Sequence, residues 1–153
     1  MFSLCGIRCK RPFALRLAGE RHGAMSGYSK TNLRAVENQA PRFDMPSDME
    51  ARFARRALDG VTLGLSLFTL APGFRIPFGH KHLTQEEVYV VLRGSARISV
   101  EDEIVEVGEM EAIRFDRDTM RAVEAGPDGV EYLAFGAGDD PLEVESAPGW
   151  WAE

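Results

Sequence analysis

The chain has 153 residues, of which 44% are hydrophobic and 27% charged, and its net charge is −6. This composition is typical of one soluble globular domain with its own core. The acidic balance argues against a nucleic-acid surface, which needs a concentrated basic patch. No apolar run approaches the roughly 18 residues of a membrane-spanning helix. Cys5 and Cys9 are the only cysteines, a weak disulfide or metal signal, so we expect a reduced cytoplasmic setting.

The N-terminal segment is basic, in contrast with the rest of the chain. Residues 1–24 carry a net charge of +4, which leaves −10 for the remainder. Arg16 interrupts the only apolar stretch in this segment, so a secretory signal peptide is not predicted. An Arg-rich transit segment remains an alternative to the simpler hypothesis that translation starts at Met25. We therefore treat residues 1–49 as an N-terminal extension, basic and disordered up to about residue 24.

The next part of the chain predicts a lead-in and a hairpin. Residues 26–49 are polar and broken by prolines, which indicates an extended segment with at most one edge strand. Residues 50–58 fit a helix or a strand, but the Asp59-Gly60 turn that follows favours a strand and a hairpin with residues 61–70.

Short strands and turns then alternate as far as residue 138. Residues 87–92 are a strong strand of β-branched, aromatic and aliphatic side chains. We predict turns at residues 93–95, 101–103 and 116–118, and a closing hairpin around residues 126–129. This spacing is typical of an all-β sandwich or barrel over residues 50–138. Residues 139–153 are expected to be a C-terminal tail, docked by Trp150-Trp151 on the barrel or on a second subunit.

The candidate chemistry lies in the sequence His80-Lys81-His82. On a strand, residues i and i+2 face the same side, so both imidazoles can point into the barrel while Lys81 points outward. Glu87 begins the next strong strand and completes a set of two imidazoles and one carboxylate. Such a triad suits a divalent first-row metal with open positions. We expect its donor atoms to lie about 3–4 Å apart.

This spacing resembles the first motif of the cupin superfamily: a glycine, His-x-His, three or four residues, Glu, six residues and a glycine. The matched positions are Gly73, His80, His82, Glu87 and Gly94. The spacing selects Glu87 rather than Glu86 as the ligand. Six residues rather than five separate Gly73 from His80, and we predict that a β-bulge at Gly79 absorbs the extra one. The resemblance implies a jelly-roll cupin barrel, also called a double-stranded β-helix.

The resemblance also implies a metal and a partner. Small single-domain cupins are commonly homodimers that bind iron, manganese, nickel or zinc, and they include dioxygenases, isomerases, decarboxylases and non-enzymatic binding proteins. Cupins usually take a fourth ligand, a histidine, from a second motif. Two alternative registers place Thr119 or Arg121 at that position, and neither is a histidine. The missing ligand leaves metal binding itself an open question.

Arg121 supports three alternative interpretations. Its charge could repel a cation and pair with Glu87, leaving a metal-free pocket that binds an anion. Three ligands could instead hold the metal while Arg121 orients a substrate carboxylate. Arg121 could also belong to the barrel rim. Tyr89 shares the face of Glu87, and we expect it to line the pocket with Phe78 and Phe115.

Two functions from different classes follow. The first is a metal-dependent enzyme of the dioxygenase or isomerase type that acts on a small anionic substrate. The second is a non-catalytic, metal-poor binding protein in which Arg121 binds the anion. A storage or scaffold role has little support in the sequence. In each case the expected partners are a small molecule and a second copy of the chain, without nucleic acid or membrane.

Overall fold

A computed structural model of the protein describes residues 27–138 and 143–152. The basic segment of residues 1–24 and the start proposed at Met25 lie outside the described residues. In the described part the chain is all-β, as predicted, with two short 3-10 helices at Leu33–Ala35 and Ala40–Phe43. Neither helix is long and apolar enough to cross a membrane.

The eight strands of the described chain form one curled antiparallel sheet. They are β1 Met49–Phe53, β2 Leu63–Leu70, β3 Phe78–His82, β4 Gln85–Val100, β5 Glu103–Val107, β6 Ala112–Phe115, β7 Arg121–Gly138 and β8 Val144–Pro148. The path β1-β2-β7-β3-β8 runs across the sheet, and β4 pairs with β5, β6 and β7. This arrangement confirms the jelly-roll prediction.

The two longest strands correct the predicted turns. Residues 93–95 and 126–129 do not turn the chain back, because β4 and β7 run through them and pair with each other over most of their length. The register shifts between Val91 and Arg93 and again between Gly94 and Ala96. Gly94 and Gly129 both have positive φ, so these glycines allow a bend within a strand where the sequence predicted its end.

Three smaller differences follow from local packing. The strand predicted over residues 50–58 ends at Phe53, and the Asp59-Gly60 pair lies in the connection between β1 and β2. The bulge predicted at Gly79 is absent, since β3 pairs with β8 in continuous register. The segment expected to be a C-terminal tail contains β8, Val144–Pro148, which is the strand that pairs with β3.

The core and the candidate site share one face of the sheet. Along the first half of β4, every second side chain is buried: Gln85, Glu87, Tyr89 and Val91. The residues between them are more exposed, as the two-residue period of a strand requires. The Glu87 side chain therefore points inward because of the same alternation that buries the apolar side chains of β4.

The two glycines of the matched motif allow a stability prediction. Both Gly73 and Gly94 have positive φ, but a Cβ on Gly94 would lie 2.1 Å from the Gly129 carbonyl oxygen, whereas one on Gly73 would meet nothing within 4 Å. Gly73→Ala should cost only the backbone strain of about 1–2 kcal/mol. Gly94→Ala adds a clash with backbone and should cost at least about 3 kcal/mol. Urea denaturation of both variants measures this difference, and equal losses would contradict it.

Candidate functional site

The three predicted ligands converge on the inner face of the barrel. β3 presents His80 and His82 two residues apart, and β4 presents Glu87 opposite them. One donor atom from each residue lies within 4.8 Å of the other two. The His82 Nε2 and Glu87 Oε1 atoms are 3.8 Å apart. This distance falls within the expected 3–4 Å. The 4.8 Å limit that encloses all three donor atoms is wider than that range.

Arg121 lies inside the barrel beside the triad. It is the first residue of β7, pairs in register with His80, and has an exposed fraction of only 1%. Its Nη2 donates a hydrogen bond to Glu87 Oε2, and its Nη1 donates to the Thr119 carbonyl oxygen at 3.1 Å. The side chain is therefore buried in an ion pair and does not form part of the rim.

The ion pair divides the two oxygens of Glu87 between two neighbours. Oε2 accepts from Arg121, while Oε1 is the oxygen nearest to His82. A charge-assisted hydrogen bond of this kind is stronger than a neutral one and restrains the carboxylate. Glu87 thus keeps one oxygen directed at the imidazoles while the other is held by the arginine.

Aromatic side chains surround these polar groups. Tyr89 and Phe115 are buried with ring centroids 4.8 Å apart, and Phe78 lies 6.3 Å from the His80 ring. The Arg121 guanidinium carbon is 5.3 Å from the centroid of Phe115. Burial, together with the charge of the neighbouring Glu87, raises the pKa of the Tyr89 hydroxyl. All three aromatic residues named from the sequence are thus close to the triad or to Arg121.

Two groups near the site were missed in the sequence. Tyr132 is fully enclosed against Tyr89, at 5.0 Å between ring centroids, and the Thr119 carbonyl accepts from Arg121. The alternation of buried Val130, Tyr132 and Ala134 along β7 could have identified the tyrosine. A backbone carbonyl has no sequence signal.

The electrostatics keep both imidazoles neutral at neutral pH. Burial, together with the charges of Arg121 and His82, lowers the pKa of His80 from 6.5 to about 3. Burial also lowers the pKa of His82, against the raising effect of Glu87. Neutral imidazole is the form that binds a metal ion. The site is therefore ready for a metal without first losing a proton.

Two buried nitrogens indicate further binding capacity. His82 Nδ1 and Arg121 Nε are enclosed and have no hydrogen-bond partner among the described residues. Buried polar atoms are costly unless something satisfies them. The donor set also fits a divalent first-row metal, since imidazole and carboxylate are both common ligands of such ions. Chemistry and geometry thus agree that the triad can hold a metal.

The lowered pKa of His80 predicts a pH dependence of stability in the metal-free protein. Its folded pKa lies below the unfolded value, so the neutral form stabilises the fold above pH 6.5, and this stabilisation is lost as the pH falls toward 3. The free energy of unfolding should decrease between pH 6.5 and 5 by up to about 1.4 kcal/mol per pH unit. Chemical denaturation at several pH values measures the slope. His80→Asn should flatten it, and an unchanged slope would contradict this account.

The comparisons with known proteins bear on the fold. No family model and no curated protein sequence matches the chain. A cupin protein from Bacteroides fragilis is 22% identical, with a TM-score of 0.61 over 78% of this chain and 91% of that one. Oxalate decarboxylase from Bacillus subtilis at pH 4.6 is 23% identical, with a TM-score of 0.66 over 81% of this chain.

The same enzyme matches in the structure concerned with its Mn(II) centres, at 26% identity and a TM-score of 0.63 over 76% of this chain. This chain covers about a third of the length of oxalate decarboxylase, 33% and 31% in the two structures. The chain therefore has the cupin fold, as its His-x-His motif predicts.

Proposed function

We propose that this protein is a small-molecule-binding cupin in which His80, His82 and Glu87 hold a divalent first-row metal. The observation that carries the proposal is the convergence of two neutral imidazoles and one carboxylate on a buried face. A metal bound there would supply Lewis acidity or oxygen activation at its open positions. The residues of the chain would fix its place and exclude water.

The role of Arg121 in this proposal is to orient Glu87. Metal ligands are commonly held in position by hydrogen bonds from neighbouring groups. Arg121 holds Glu87 Oε2 and leaves Oε1 toward the histidines. Its positive charge also opposes the cation. Arg121 therefore orients the Glu87 carboxylate, but its positive charge lowers the affinity of the site for a metal ion.

The charges of these groups favour an anionic ligand. With both imidazoles neutral, the charges of Glu87 and Arg121 cancel, so a bound divalent ion leaves a net charge of +2 among these groups. The surroundings include the buried rings of Tyr89 and Phe115, where an uncompensated charge is costly. A small anion such as a carboxylate would balance this charge.

The similar solved structures support the same class of ligand. Oxalate decarboxylase has Mn(II) centres, and its name specifies a small dicarboxylate as substrate. Manganese is therefore the first metal to test, before iron, nickel and zinc. This chain covers only about a third of that enzyme. We therefore do not propose oxalate decarboxylation as its activity.

A second candidate function is supported by the ion pair itself. Arg121 already satisfies one oxygen of Glu87, so the pair is electrically neutral without any metal. Arg121 Nε, which has no partner among the described residues, could then hydrogen-bond an anion directly. On this alternative the protein is a metal-poor binding protein with an arginine-based anion site.

Two adjacent glutamates test the ligand set. Glu87→Gln removes the negative donor and should weaken Mn²⁺ or Zn²⁺ binding at least tenfold, since carboxylate supplies the only negative charge of the triad. Glu86→Gln is the matched control, because Glu86 is exposed and pairs with Arg114 at 2.8 Å. Isothermal titration of both variants and the wild type measures the affinities. Equal metal binding by all three would rule out Glu87 as a ligand.

A histidine at the fourth position separates the two candidate functions. Arg121→His gives up the hydrogen bond that orients Glu87, but it removes a like charge and adds a direct ligand, each worth about 1 kcal/mol or more. We expect these two gains to outweigh the lost orientation, so metal affinity should rise. Arg97→His is the control, since Arg97 pairs with Glu124 and is half-exposed. A wild type that binds no metal, beside a variant that does, would establish the metal-poor alternative. Equal affinities in wild type and Arg121→His would contradict both accounts of Arg121.

A further inference from the structure

The strand that carries both histidines is held chiefly by the C-terminal segment. β3 pairs with β7 at one position, His80 with Arg121. It pairs with β8 at all five of its residues, in continuous register from Phe78 with Pro148 to His82 with Val144. The placement of the two imidazoles along the barrel therefore depends on residues more than sixty positions further along the chain.

Trp150 lies directly on the backbone of β3. A Cβ built on Gly79, the residue before His80, would lie 2.5 Å from Cε3 and 2.9 Å from Cδ2 of the indole. Only a glycine allows a ring to approach a backbone this closely. The six-membered ring of Trp150 thus covers the peptide next to the first histidine.

Contacts at both ends of β3 fix this segment in place. Beyond one end, the Leu83 amide donates to the Glu143 carbonyl at 3.2 Å, and at the other the Gly149 amide donates to the Pro77 carbonyl at 2.8 Å. Further along, the Ala152 amide donates to Ser99 Oγ at 2.8 Å. The segment is therefore anchored on each side of the two histidines as well as between them.

We propose that residues 143–152 position the metal-binding strand, with Trp150 as the positioning residue that seats Gly79 and so sets His80 and His82 relative to Glu87. The inference rests on the proposed metal site for its functional consequence. Binding geometries are productive only when donors are held within about 0.5 Å. Loss of the indole would allow β3 to shift by that much while the β4–β7 pairing persists.

Trp151 provides a matched control. It is the next residue and has the same chemistry, but its ring packs against the guanidinium of Arg75, 4.1 Å from the guanidinium carbon to the ring centroid. Trp150→Ala should weaken Mn²⁺ or Zn²⁺ binding at least tenfold, within the range seen for groups that support metal ligands. Trp151→Ala should change it less than about threefold, which is roughly 0.65 kcal/mol. Trp150→Phe keeps a flat ring over Gly79 and should restore most of the affinity.

Hydrogen exchange of the metal-free protein tests the positioning separately from the metal. Trp150→Ala should raise exchange at the Phe78–His82 amides and leave Glu103–Val107 unchanged, while Trp151→Ala should affect neither. If Trp150→Ala does not fold, Trp150→Leu replaces it, because leucine keeps apolar volume but loses the flat ring. A wild type without metal affinity would overturn the proposed function, and the exchange comparison would still decide this inference. Equal effects of the two tryptophans, or no effect of Trp150, would overturn it.

Discussion

The buried pair of Arg121 and Glu87 is the interaction on which the site depends. Two charges taken out of water are stable only with close mutual contact and further hydrogen bonds, and Arg121 has both, through Glu87 and the Thr119 carbonyl. The pair joins the start of β7 to β4, while the backbone of Arg121 pairs with His80 on β3. Removing one partner of such a pair typically costs about 3–5 kcal/mol. Arg121 therefore connects the three strands that build the site, through its side chain to β4 and through its backbone to β3.

The architecture explains why the triad meets where it does. β4 and β7 are long strands that pair antiparallel and bend at Gly94 and Gly129, so the sheet curls and brings β3 over the inner face of β4. Glu87 faces inward by the alternation of β4, and the histidines do so by the alternation of β3. β8 then pairs with β3 from the far side. The site thus lies where β3 and the start of β7 meet the first half of β4.

The two-residue period of a strand predicts the inward side chains and an all-β sandwich or barrel. The jelly-roll fold and the choice of Glu87 as the third ligand come from the resemblance of the motif spacing to that of cupins. Two registers of the second motif lead to Thr119 or Arg121, and the sequence leaves three interpretations of Arg121 open. The placement of the strands buries Arg121 against Glu87 and so excludes the barrel rim. The predicted turns at residues 93–95 and 126–129 were wrong because pairing between β4 and β7 overrides the local preference of glycine. β8 was missed because its side chains are mostly exposed and show no alternation, so its pairing with β3 leaves no trace in the sequence.

The most direct test of the account is X-ray absorption spectroscopy of the protein loaded with one equivalent of Mn²⁺ or Zn²⁺. The account predicts two imidazole nitrogens and one carboxylate oxygen at about 2.0–2.2 Å from the metal, with the imidazole scattering reduced in His80→Ala and in His82→Ala. Glu87 would contribute a single oxygen, because Arg121 holds the other. A spectrum with only oxygen ligands, unchanged by replacement of either histidine, would show that the metal binds elsewhere and would contradict the central claim.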